Sequence, residues 1–101
     1  MPTPVKRERN PALYETILRL ESVEECIRFF EDLCAVTELS AIEQRFSVAQ
    51  ELLAGRVYSD ILSSTGASSA TVSRVNRMLR DGNGCLQELI ERTKLTQEGN
   101  D

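Results

Sequence analysis

The chain has 101 residues, a formal net charge of −4 and a sequence pI near 4.9, with few aromatics, five glycines and three prolines. That size allows one small domain, and that composition favours helix over sheet. No apolar run reaches the length of a membrane-spanning helix, and the polar start "MPTPVKRERNP" lacks the apolar core of a secretory signal. Histidine is absent, which removes the commonest general base and the commonest zinc ligand, so no enzymatic activity and no metal are expected. Cys26, Cys34 and Cys85 form no CxxC pair; they read as reduced thiols of a cytoplasmic protein, used as small buried apolar residues.

In chain order the sequence predicts six helices and no strands. Residues 1–10 read as a flexible arm. Asn10-Pro11 then offers an N-cap followed by proline at the first helical position, opening a helix through Leu13, Ile17, Leu18 and Leu20. Ser22 with Glu25 three residues on is a capping-box pattern. The helix it starts carries Val23, Cys26, Ile27, Phe29, Phe30, Leu33 and Cys34, a stripe too wide for one small core, which points to cover by a second subunit. Ser40 and Glu43 form a second such pattern, predicting a helix that places Ile42, Phe46, Ala49, Leu52 and Leu53 at helical spacing and stops at Gly55. Short helices follow over about 58–64 and 68–80, with Gly66 as the turn between them. "DGNG" at 81–84 breaks the chain, and a last amphipathic helix over about 85–94 points Leu86, Leu89 and Ile90 inward. Residues 95–101 read as a fraying tail.

The net charge conceals a partition. Residues 1–10 carry +2, residues 11–54 carry −6, residues 55–80 carry +3 and residues 81–101 carry −3. Cations are therefore gathered around "YSDILSSTGASSATVSRVNR", residues 58–77, which has the layout of a helix-turn-helix. Ile61, Thr65, Ala67, Val72 and Val75 are placed to form its small shared core. Ser68, Ser69, Ala70, Ser73, Arg74 and Arg77 are left outward, and small residues there let a backbone approach the floor of a DNA major groove. Because charge is screened within roughly 8 Å at physiological salt, an acidic body does not exclude a basic face that binds phosphate.

Within this region, "GASSATVSRVNR" at 66–77 resembles the Trp-repressor superfamily, most closely its TrpR-related YerC/YecD branch, and the likeness extends upstream through "FFEDLCAVTELSAIEQRFSVAQELL" at 29–53. The resemblance implies an all-α, six-helix, TrpR-like intertwined dimer over residues 11–94, with its helix-turn-helix head at 58–80. It implies a sequence-specific transcriptional regulator whose partners are double-stranded DNA and a second copy of itself, in the cytoplasm and away from membranes. Ser69, Ala70, Ser73 and Arg77 are the expected base contacts, and Arg56, Ser68, Thr71, Arg74 and Arg80 the expected phosphate contacts. Arg45 and Arg74 match the two arginines that hold the family's co-repressor, which marks them as a possible effector site. Val75, however, stands where the repressor has glycine, and its branched side chain would intrude on the indole. Ala35 falls near the repressor's pocket threonine. No cofactor, and in particular no L-tryptophan, is therefore expected. The alternative is a helical dimerisation or adaptor protein that has kept the head but lost DNA binding.

Overall fold

The structure, a computed structural model, describes residues 7–99, with side chains described through Lys94. Among the described residues every regular element is a helix, with α1 Pro11–Ile17, α2 Val23–Leu33, α3 Val36–Leu53, α4 Tyr58–Thr65, α5 Ser69–Asp81 and α6 Cys85–Gly99. The chain parts into two compact units, residues 1–36 and 37–101. Of the expected N-terminal arm, residues 1–6 lie outside the described residues, and residues 7–10 are exposed and non-helical.

The first unit holds α1 and α2. Asn10 accepts the Ala12 N–H at 3.0 Å, and Pro11 needs no such acceptor, so α1 starts where the sequence indicates. It ends at Ile17, short of the expected Leu20, because Leu18 to Leu20 close as single turns onto Tyr14, Thr16 and Ile17 carbonyls. At α2, Ser22 Oγ accepts the Glu25 N–H at 3.0 Å. The Glu25 carboxylate reaches back one residue further than a capping box requires, accepting from the Glu21 N–H at 3.3 Å. Phe29 and Phe30 pack edge to face with ring centroids 5.2 Å apart. No residue of α1 or α2 is fully buried, and Val23, Ile27 and Leu33 are exposed.

The second unit is built on α3. This helix begins at Val36, so Ser40 lies inside it and caps nothing, contrary to the capping-box reading. The break falls earlier because Cys34 is extended, with φ −112° and ψ 146°, and Val36 to Leu39 contain no breaker that would delay the helix to Ser40. At its far end the Gly55 N–H donates to Leu52 and the Arg56 N–H to Glu51, at 3.0 and 3.1 Å. Gly55 takes φ +79°, so the pair forms a Schellman turn that satisfies the last carbonyls of α3.

The core of this unit is Val48 and Ala49 from α3, Ile61 from α4, Ala67 from the turn, and Val72 and Val75 from α5. Leu52, Leu62, Leu79, Leu86 and Ile90 pack around it. Each fully buried Val or Ile contributes about 1.5–3 kcal/mol, which makes a small core for the four helices it holds. The sequence reading missed Val48 and turned Leu89 inward, whereas Leu89 is exposed here; Ile42 and Phe46, noted for their helical spacing, are exposed as well. Cysteine usage differs likewise: Cys26 and Cys34 are half-buried and Cys85 is exposed, all with free thiols. Finally, α6 runs to Gly99, past the expected end near Lys94, since "LTQE" contains no helix breaker. Residues 100–101 lie outside the described residues.

Candidate nucleic-acid interface

The head is α4, a three-residue turn and α5. Gly66 caps α4 with φ +70°, a conformation L-residues avoid, and its N–H donates to the Leu62 carbonyl at 3.1 Å. Thr65 completes the turn: its hydroxyl donates to the Ile61 carbonyl at 2.6 Å and accepts the Ala67 N–H at 3.2 Å. Thr65 is half-buried and works by these hydrogen bonds rather than as the apolar core residue expected. Ala67 is buried immediately after the turn and anchors the start of α5 to Ile61.

Ser68 is the N-cap of α5, as expected. Its Oγ accepts the Thr71 N–H at 3.1 Å, and its hydroxyl donates to Thr71 Oγ1 at 3.0 Å. Thr71 is thereby half-buried and committed to the cap. Ser69 and Ala70 lie in the open first turn, where N–H groups have no intrahelical acceptor and anions are favoured. Beyond the cap, Val72 and Val75 face the core while Ser69, Ala70, Ser73, Arg74, Arg77 and Arg80 are exposed. The structure thus brings the four expected base-contact residues onto one outward face of one helix, with no side chain wider than serine before Arg74.

The remaining expected cations are dispersed. Arg74 and Arg77 line one shallow cleft with Met78, Asp81 and Gly82. Arg80 pairs with its neighbour Asp81 at 3.5 Å, with both side chains solvated, so the pair is weak. Arg56 lies in the loop before α4, with Nε 3.8 Å from the Glu51 carboxylate. Arg45 is exposed on α3, where its Nε donates to the Ala41 carbonyl at 3.4 Å, one turn back along its own helix. Val75 is 1% exposed: its side chain fills the head's core against α4.

Sequence reasoning missed Glu51, Ser64 and Gln44. The Ser64 hydroxyl lies 2.7 Å from both Glu51 carboxylate oxygens, and Gln44 Nε2 donates to the Thr65 carbonyl at 3.3 Å. The Gly55 stop signal does locate Glu51 in the last turn of α3. Its partner thirteen residues on has no sequence signature.

A head whose second helix is capped by serine, small at its start and basic beyond has the layout of the helix-turn-helix class of all-helical folds. The chain belongs to the Trp repressor family: the family profile described as Trp repressor protein matches residues 9–94. The uncharacterised protein YerC of Bacillus subtilis is 45% identical over 85 residues, which cover 84% of this chain and 82% of that protein. Among solved structures, a candidate Trp repressor from Staphylococcus aureus superposes with a TM-score of 0.80 at 42% identity, covering 85% of this chain and 89% of that one. A TrpR-like protein from Eubacterium eligens superposes equally well, at 44% identity over 83% of this chain and 87% of that one. The expected TrpR-like fold and the kinship with YerC both stand. The family consists of DNA-binding regulatory proteins rather than enzymes, and no helix among the described residues is long and apolar enough to cross a membrane.

Proposed function

We propose that this protein is a sequence-specific DNA-binding transcriptional regulator that acts as a homodimer and does not use L-tryptophan as co-repressor. The observation that carries this reading is the outward face of α5, where Ser69, Ala70, Ser73, Arg74 and Arg77 stand exposed behind a fixed Ser68 cap. Two such helices, one per protomer, enter successive major grooves about 34 Å apart. Ser69, Ala70, Ser73 and Arg77 meet base edges, with Arg77 as the residue able to read guanine bidentately. Arg56, Arg74, Arg80 and the Ser68 end of α5 hold phosphates and set the register. Thr71 contributes through the cap it shares with Ser68. Self-association is supported by the exposed apolar residues of α2, which a solvated monomer has no reason to leave uncovered. The proposal against L-tryptophan is supported by Val75, a branched side chain that the head's own packing holds in place.

Selection of bound duplexes from a random pool at two salt concentrations tests this reading. A defined motif is expected, with half-sites one helical turn apart. If Arg56, Arg74 and Arg80 of both protomers each neutralise a phosphate, log affinity falls against log salt with a slope of about −5. Arg77→Ala weakens binding to the selected motif by about 1–3 kcal/mol and relaxes preference at the base it reads. A flat salt dependence with no enriched motif favours instead an adaptor that binds protein through apolar surface.

A further inference from the structure

Glu51 is an acid placed against the basic segment. It lies in the last turn of α3 with its side chain only 21% exposed. Its carboxylate takes the Ser64 hydroxyl at 2.7 Å from both oxygens, and its carbonyl takes the Arg56 N–H at 3.1 Å. One residue therefore holds both the chain entering α4 and the last turn of α4. The contact with the Arg56 guanidinium, at 3.8 Å and with that side chain 61% exposed, is screened by solvent and contributes little. The short, charge-assisted bond from Ser64 is the stronger of the two. Seven residues back, two helical turns and so on the same face of α3, Gln44 holds the Thr65 carbonyl. The carboxylate is partly shielded from water and Ser64 is exposed, and its main partner belongs to the head.

We infer that Glu51 is the positioning residue of the reading head: through Ser64 it fixes α4, and through the Gly66 turn α5, at one angle to α3. This rests on the DNA-binding reading above. A dimer that engages two half-sites needs both heads correctly set at once. Play at the joint lowers the chance of simultaneous engagement without altering what either head does to phosphate. Loss of the tie is thus felt in sequence discrimination rather than in general affinity for DNA.

The test uses the full chain with Glu51→Ala, Ser64→Ala and Glu51→Gln, measuring affinity for selected and for random duplexes alongside thermal melting. Glu51→Ala and Ser64→Ala are expected to lower the ratio of specific to non-specific affinity by about tenfold, the size of one hydrogen bond to a charged group. Non-specific affinity holds or rises, since Glu51→Ala removes an anion beside Arg56. Glu51→Gln keeps an oxygen that accepts from Ser64 and rescues the ratio. Equal losses of specific and non-specific affinity, an unchanged ratio in Ser64→Ala, or a Glu51→Gln variant no better than Glu51→Ala would each overturn the inference. Should the native chain bind no DNA, the functional reading fails separately. The tie is then read from amide hydrogen exchange: faster exchange over residues 61–67 alone in Ser64→Ala supports it, and exchange unchanged there overturns it.

Discussion

At the scale of single residues, Val75 is where the packing of the head bears on the proposal about L-tryptophan. Its side chain is 1% exposed and packs in a core of six residues that includes Ile61 and Val72. Val75→Gly removes that packing and adds the helical cost of glycine, together about 3 kcal/mol, read as an earlier urea midpoint. The native protein is expected to melt at the same temperature with or without millimolar L-tryptophan. A rise of several degrees would show a ligand bound to the folded state and restore the co-repressor to consideration. Arg45 and Arg74 invite that comparison, yet they differ in setting. Arg45 is turned along its own helix to the Ala41 carbonyl, whereas Arg74 stands on the outward face of α5 with Arg77.

At the scale of elements, the helices follow from local chemistry wherever a stop or a cap has no competitor. Asn10, Ser22 and Ser68 cap as their spacing indicates, and Gly55 and Gly66 end α3 and α4 in the left-handed conformation. Ser40 shows the limit of that rule. Its spacing to Glu43 is correct, but a cap requires a chain break before it, and the break came at Cys34. The facing of α3 was not legible for another reason. It carries apolar residues on more than one side, so only the docking of α4 and α5 decides that Val48 is inward and that Ile42 and Phe46 are not. The exposed face of α5 was legible because its small and basic residues alternate cleanly with Val72 and Val75. The tie between Glu51 and Ser64 was not, since it joins positions distant in sequence. Gly66 offers a direct check on the turn. A Cβ built there meets nothing within 4 Å, so any cost of Gly66→Ala is backbone strain at φ +70°. The expected loss is about 1–2 kcal/mol in urea unfolding with an unchanged m-value, and Gly66→Asn should lose less.

At the scale of the molecule, exposed apolar surface and a small core are two sides of one deficit. The described residues bury six hydrophobic side chains completely or nearly so, while Val23, Ile27 and Leu33 of α2 and Ile42 and Phe46 of α3 stay in contact with solvent. Association with a second copy would remove that surface from water and stabilise both protomers together. In a two-fold interface a substitution acts twice. Ile27→Glu is therefore expected to weaken self-association by about 4 kcal/mol, roughly a thousandfold in Kd, while α2 keeps its helicity. Sedimentation equilibrium with circular dichroism checks both halves of that expectation. A native chain that sediments as a monomer at micromolar concentration would remove the dimer from the proposal.

The joint between α3 and the head has one further consequence. Because the Gly55 turn, the Ser64 hydroxyl and the Thr65 carbonyl all fasten to α3 itself, that helix carries α4 as a crank carries its handle. A residue inserted between Gln44 and Glu51 would turn one tie about 100° away from the other and part them by about 1.5 Å more. Surface loops absorb length changes, but a crank transmits them. Across relatives of this protein, the seven-residue spacing between these two ties should therefore be kept while loop lengths vary.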